Sequence, residues 1–218
     1  MKMKSSVTFA RTGACALALA AVVTSGCAPL VVGGAIASGA MVASDRRSVG
    51  IQLEDEAIER RVDGALVERF GRDTININVT SYNRKVLLVG EASSAEAAKE
   101  IEAIADRAEN VRLVVNEIYI GKLSTTGNRL NDTALAARVR AALIDAREVP
   151  AAAVKPTVER GVAYLLGRVT ETEGAAAARA VSRVDGLVRV VKVFDYMTDE
   201  ELRAMQSGPT PAASPRKP

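Results

Sequence analysis

The chain has 218 residues, 29 basic and 26 acidic side chains, no histidine and no tryptophan. Without histidine it lacks the usual general base near neutral pH and the commonest metal ligand, and Cys15 and Cys27 are its only thiols, so His/Cys metal sites and Cys–His or Ser–His catalysis are excluded. Three of the bases, Lys2, Lys4 and Arg11, stand in an acid-free N-terminal stretch; the rest of the chain carries as many acids as bases, without the cationic surplus of a general nucleic-acid binder. Aromatic residues make up only 3%, so packed cores must be built from Ala, Val, Leu and Ile, which predicts small domains.

In chain order, the basic stretch 1–11 is followed by ACALALAAVV, ten apolar residues from Ala14 to Val23. A helix needs about 20 residues to span a bilayer, whereas this length suits the apolar region of a secretory signal. Thr24, Ser25 and Gly26 then lead to Cys27. The stretch resembles the lipobox of a bacterial lipoprotein signal, in which an aliphatic and two small residues precede a cysteine; Ser25, Gly26 and Cys27 match, and Thr24 stands where Leu is usual. The resemblance implies cleavage after Gly26, a diacylglyceryl group on the Cys27 sulfur and acylation of the new amine. Several acyl chains anchor durably where a single one does not. The alternative is an ordinary secretory signal cut near Ala28. Ala28, rather than Asp, after the lipobox implies the outer membrane of a Gram-negative envelope. Residues 27–50 read as a tether, because Pro29, Gly33, Gly34 and Gly39 interrupt any helix.

The remainder contains one unit twice. DEAIERRVDGAL (55–66) aligns with DTALAARVRAAL (132–143) at an offset of 77, and RKVLLVG (84–90) with GVAYLLG (161–167) at the same offset. Asp55 and Asp132 are helix N-cap candidates; Ile58, Val62, Leu66 and their counterparts Leu135, Val139, Leu143 form one apolar stripe per helix. TININVTSY (74–82) alternates as a strand, with turns at Asn83–Arg84 and Arg160–Gly161 and second strands KVLLVGEA and VAYLLGRV. Second helices are predicted over 93–108 and 170–184, with Glu171 and Glu173 as acids suited to a helix start rather than an acid/base pair. Asn110 and Gly186 are left-handed stops before final strands at 111–119 and 187–195. The order α-β-β-α-β predicts α+β units, a three-stranded sheet with helices on one face, over 51–120 and 132–197 with a linker at 121–131. Tyr82 and Tyr164 fall on sheet faces. Residues 198–206 suit a short helix, and the tail to Pro218 is Pro-rich and expected to be disordered.

The lipobox at Cys27, DRRSVG (45–50), INVTSYNRKVLLVG (77–90), VVNEI (114–118), NDT (131–133) and Gly90, Gly167 and Gly186 together resemble a dual BON-domain lipoprotein of the Gram-negative outer membrane. The resemblance implies a non-enzymatic envelope protein with no cofactor. It would bind phospholipid, anionic lipid above all, through the first helix of the second unit and support outer-membrane integrity and division. Here that helix is DTALAARVRAALID (132–145), which nominates Ala134, Leu135, Arg138, Arg140 and Arg147 as the lipid-contacting set. Relatives in that family carry a large aromatic just after NDT, where this chain has Ala134, so weaker insertion or a surface-charge mode is expected. Acids outnumber bases in 54–120 and bases outnumber acids in 132–197, which favours the second unit against an anionic surface. The rival reading is an adaptor that engages assembly or division proteins of the outer membrane without intrinsic lipid binding.

Overall fold

The computed structural model describes residues 45–207. Cys15, Cys27, the signal and the tail from residue 208 lie outside the described residues. The first unit runs α1 (Val49–Phe70), β1 (Asn76–Tyr82), β2 (Lys85–Ala92), α2 (Ala95–Asp106) and β3 (Leu113–Ile120). The second runs α3 (Thr126–Asp145), a short 3-10 turn at Ala151–Ala153, β4 (Val154–Glu159), β5 (Val162–Val169), α4 (Glu171–Val181) and β6 (Arg189–Tyr196), and α5 (Asp199–Ser207) follows. Each sheet holds its second strand in the centre, antiparallel to the first and parallel to the third. The parallel pairs need a crossover, which α2 and α4 provide. Their starts are well capped: Ser94 accepts from the Ala97 amide, and Thr170 forms a reciprocal capping box with Glu173. Pro156 is tolerated because β4 is an edge strand.

Side-chain alternation along the central strands explains their unbroken apolar character. Val86 and Leu88 point to α1 and α2 and join Ile58, Val62, Leu66 and Ile101 in one core. Ala163 and Leu165 do the same in the second unit with Leu135, Val139, Leu143 and Ala177. The opposite faces carry Tyr82, Leu87, Val89, Tyr164, Leu166 and Val193, which form a third cluster shared by both units. The two sheets therefore pack back to back, in a helix–sheet–sheet–helix arrangement, and every residue of β2 is buried. Equivalent positions meet at the seam: Leu87 aligns with Tyr164 and Val89 with Leu166, while Thr80 and Thr157, 77 apart, share a hydroxyl–hydroxyl hydrogen bond of 3.1 Å. Ion pairs ring the apolar contact, including Lys85–Asp195 at 2.6 Å, Lys155–Glu59 at 2.6 Å and Arg189–Glu117 at 3.3 Å.

The aligned glycines have a steric cause. A Cβ at Gly90 would sit 1.9 Å from the Asn76 carbonyl oxygen, and one at Gly167 would sit 2.3 Å from that of Ala153. Each edge strand crosses too close for a side chain.

Two expectations are corrected. Asp55 and Asp132 do not cap their helices; α1 and α3 begin earlier, capped by Ser48 and Thr125. Both aspartates lie mid-helix on the buried face and cap the hairpin instead. Asp55 accepts from the amides of Asn83 (2.8 Å) and Arg84 (2.7 Å) and from the Ser81 hydroxyl (2.7 Å). Asp132 accepts from the amides of Arg160 (2.9 Å) and Gly161 (2.8 Å). These turns hold both central residues at positive φ, Asn83 at 52° and Arg84 at 64°, Arg160 at 53° and Gly161 at 71°, the geometry that matches strand twist. The carboxylates satisfy amides that the turn turns inward. The second correction concerns boundaries. Asp45–Gly50, expected in the tether, is part of the fold, and the expected linker from Thr126 onward is already α3.

Replacing Asp55 by Ala strands these buried donors, and Arg47, which pairs with it at 2.8 Å, loses a partner. The expected loss is roughly 2–4 kcal/mol in urea denaturation, and Asp132→Ala, with fewer donors stranded, costs less.

Candidate functional site

The α3 helix presents two apolar stripes. Leu135, Val139 and Leu143 line its buried side with Asp132. On the opposite side Leu130, Ala134, Ala137, Ala141 and Ile144 are all exposed, and at 3.6 residues per turn they fall within an arc of roughly 80°. Leu130 is 66% and Ile144 69% exposed. Arginines stand on both sides of this stripe. Arg138 is exposed and its Nη1 donates to the Asp185 carbonyl at 3.0 Å. Arg140 is exposed and has no hydrogen bond or ion pair among the described residues. Arg147 lies just past the helix end and lines an open groove of about 500 Å³ between α3 and α4, together with Arg179 and Arg183. Arg179 pairs there with Glu148 at 3.2 Å.

Of the five residues nominated from sequence, Ala134, Arg138, Arg140 and Arg147 lie on the accessible surface. Leu135 does not. It is 0% exposed and belongs to the second core, because it continues the stripe that packs on β5 and α4. The sequence reading missed Leu130 and Ile144. Their signal was present in the spacing 130, 134, 137, 141, 144, a second helical period opposite the first. In α1 the aligned positions are Leu53, Ala57, Arg60, Gly64 and Val67, so a charge interrupts the stripe and Glu56 and Asp63 stand beside it. Arg60 is itself drawn to Glu56 at 3.6 Å. The apolar outer face is therefore a property of the second unit alone.

A titratable cluster sits at one end of the seam. Glu91, 0% exposed, accepts from Asn76 Nδ2 (2.7 Å), from Arg160 Nη1 (3.1 Å) and from the Ser124 hydroxyl. Burial opposes its charge, but these donors outweigh burial and hold the carboxyl below the usual range. Arg160 also stacks on Tyr119, its guanidinium 3.9 Å from the ring centre. Nearby Glu159 has a buried Oε1 with no hydrogen-bond partner among the described residues. Burial and the charges of Glu91 and Asp132 push it up to about 7. Two carboxyls with separated pKa values are the signature of acid/base pairs, but Glu91 is fully enclosed and its donors are all protein groups, so Glu91 braces the junction between units while Glu159, charged beside it, opposes it.

A family model for the BON domain matches residues 54–122 and 131–197. The chain is 33% identical over 177 residues to the outer membrane lipoprotein DolP of Haemophilus influenzae, covering 79% of this chain and 89% of the relative. It is 34% identical to the 21 kDa hemolysin of Actinobacillus pleuropneumoniae, covering 70% of this chain and 79% of that protein. It is 28% identical to the osmotically-inducible protein Y of Escherichia coli, covering 70% and 78%. A repeated α-β-β-α-β unit matched twice by one model, with relatives of this coverage, settles the class: the chain belongs to the BON-domain family, as a dual-BON outer-membrane lipoprotein.

Glu159 yields a test of the seam electrostatics. Its folded pKa of about 7 lies above the unfolded value of about 4.3, so stability falls as pH rises between the two and the cost is complete above 7. Glu159→Gln should match the parent near pH 4 and exceed it by about 1–3 kcal/mol at pH 8 in thermal or urea melts.

Proposed function

We propose that this lipoprotein is non-enzymatic, is held at the periplasmic face of the outer membrane by acyl chains on Cys27, and binds phospholipid headgroups, anionic ones preferred, through the outer face of α3 in its second BON domain. The observation that carries this reading is the two-sided helix: an exposed apolar stripe from Leu130 to Ile144 with arginines along both flanks, two of which, Arg140 and Arg147, are not committed to any described partner. An apolar face bordered by cations suits the boundary between acyl chains and anionic headgroups. The relative whose name is outer membrane lipoprotein agrees with the location.

Magnitudes set the mode of binding. Leu130 and Ile144 each offer on the order of 1.5–3 kcal/mol if fully buried, and each arginine contributes about 1 kcal/mol near an anionic surface at physiological salt. Ala134, Ala137 and Ala141 add little area. The body thus supplies a weak, salt-sensitive contact that orients a molecule already held by its anchor. No aromatic residue lies on the stripe, so deep insertion is not expected.

The test is co-sedimentation of residues 44–218, which contain both units and lack Cys27, with anionic and with neutral vesicles at two salt concentrations. Binding is expected to anionic vesicles, to weaken at high salt, and to fall by about thirtyfold in Arg140→Glu/Arg147→Glu, each charge reversal removing about 1 kcal/mol. Failure to bind anionic vesicles at low salt would sink the lipid reading and favour the adaptor role, with Cys27 as the sole membrane link.

A further inference from the structure

Asp45, Arg46 and Arg47 form a strap across the two units. Arg46 Nη1 and Nη2 hold both carboxylate oxygens of Glu173 at 2.7 and 2.6 Å, and Nη1 also donates to the Arg168 carbonyl at 2.9 Å. These partners all belong to the second unit, and the Arg46 side chain is only 7% exposed. Arg47 holds the first unit: it pairs with Asp55 at 2.8 Å and stacks over Tyr82, 4.1 Å from the ring centre, while Asp45 fixes its other nitrogens. Bidentate arginine–carboxylate pairs of this kind, largely removed from water, are geometrically demanding and strong.

The repeat shows what the strap is. Asp45–Arg47 aligns at the offset of 77 with Lys122–Ser124, and the following caps Ser48 and Thr125 also align. Both segments cross to the opposite unit and land on the same position: Arg46 on Arg168, Ser124 on Glu91, again 77 apart. The second strap is the covalent connection between the units and stays in place whatever its side chains do. The first is held only by side chains, and the chain on its other side leads towards Cys27.

We propose that Asp45–Arg47 is a releasable clasp, the side-chain-held twin of the inter-unit linker, which locks the two BON units back to back and whose release lets them part along the seam. Parting would expose Tyr82, Leu87, Val89, Tyr164 and Leu166, an apolar surface that the clasp keeps covered. The proposal does not depend on lipid binding by α3.

Thiol labelling tests it. In the full chain held in detergent micelles, Thr80→Cys places a thiol in the seam, where Thr80 is 4% exposed, and its reaction rate with a maleimide, less that of the chain without this substitution, reports parting of the units. Arg46→Ala and Glu173→Gln are each expected to raise that rate by about tenfold with circular dichroism unchanged; glutamine preserves the capping box on Thr170, so α4 keeps its start. Arg189→Ala, which breaks the exposed pair with Glu117 at the rim, should leave the rate within about twofold. Rates within about twofold of the parent for both Arg46→Ala and Glu173→Gln would overturn the clasp. Equal acceleration by Arg189→Ala would overturn it too, because any rim contact would then serve.

Discussion

The burial of two sheet faces against each other is the constraint on which the rest of this structure depends. A three-stranded sheet with helices on one side leaves its other face wet, and a unit of this size buries only part of the surface its unfolded chain exposes. Packing the two sheets back to back removes that liability for both. It buries β2 on both faces, sequesters Tyr82 and Tyr164, and directs α1 and α3 outward to opposite surfaces of the molecule. It also makes the edges of the seam polar by necessity. Lys85, itself 8% exposed, must reach Asp195 and the carbonyl of Phe194, and Glu91 must find three donors, because an unpaired charge there would be costly.

Symmetry and its violations divide structural from functional features. Where the two copies agree, the cause is structural: the hairpin-capping aspartates, the glycines under the edge strands, the Thr80–Thr157 contact. Where they differ, the molecule acquires direction. Position 137 is Ala where position 60 is Arg, so only one outer helix is apolar. Position 159 is Glu where position 82 is Tyr, so one end of the seam carries a carboxyl whose Oε1 has no hydrogen-bond partner among the described residues, and the other a ring that supports Arg47. One strap is the inter-unit linker and the other leads into α1 from residue 45. A duplicated fold thus yields a molecule with one apolar outer face.

The fold was legible in the sequence because its periods are regular and repeated. The two-residue turns, the left-handed stops at Asn110 and Gly186, and the capped second helices all follow from local chemistry that the structure reproduces. Less legible were features that depend on tertiary partners. Asp55 and Asp132 resemble N-caps because an acid before an apolar stripe usually is one; only the hairpin folded over them shows that they serve the turn. Arg46 and Arg47 fall at the end of the expected Gly/Ala-rich tether, although DRRSVG carries the resemblance, because their partners Glu173 and Tyr82 are distant in sequence. For the candidate surface, likeness to the family points to the arginines and Ala134; Leu135 is nominated with them although its spacing with Val139 and Leu143 already places it in the core stripe, and Leu130 falls outside a helix read as starting at Asp132.

The absence of tryptophan permits a direct test of the central claim, that the second unit alone presents a membrane-facing helix. Single tryptophans at Ala134→Trp and at the aligned Ala57→Trp would report the polarity around each outer helix. With anionic vesicles added, the account predicts a blue shift of emission at position 134, reversed by salt, and none at position 57. No shift at 134, or equal shifts at both positions, would contradict it.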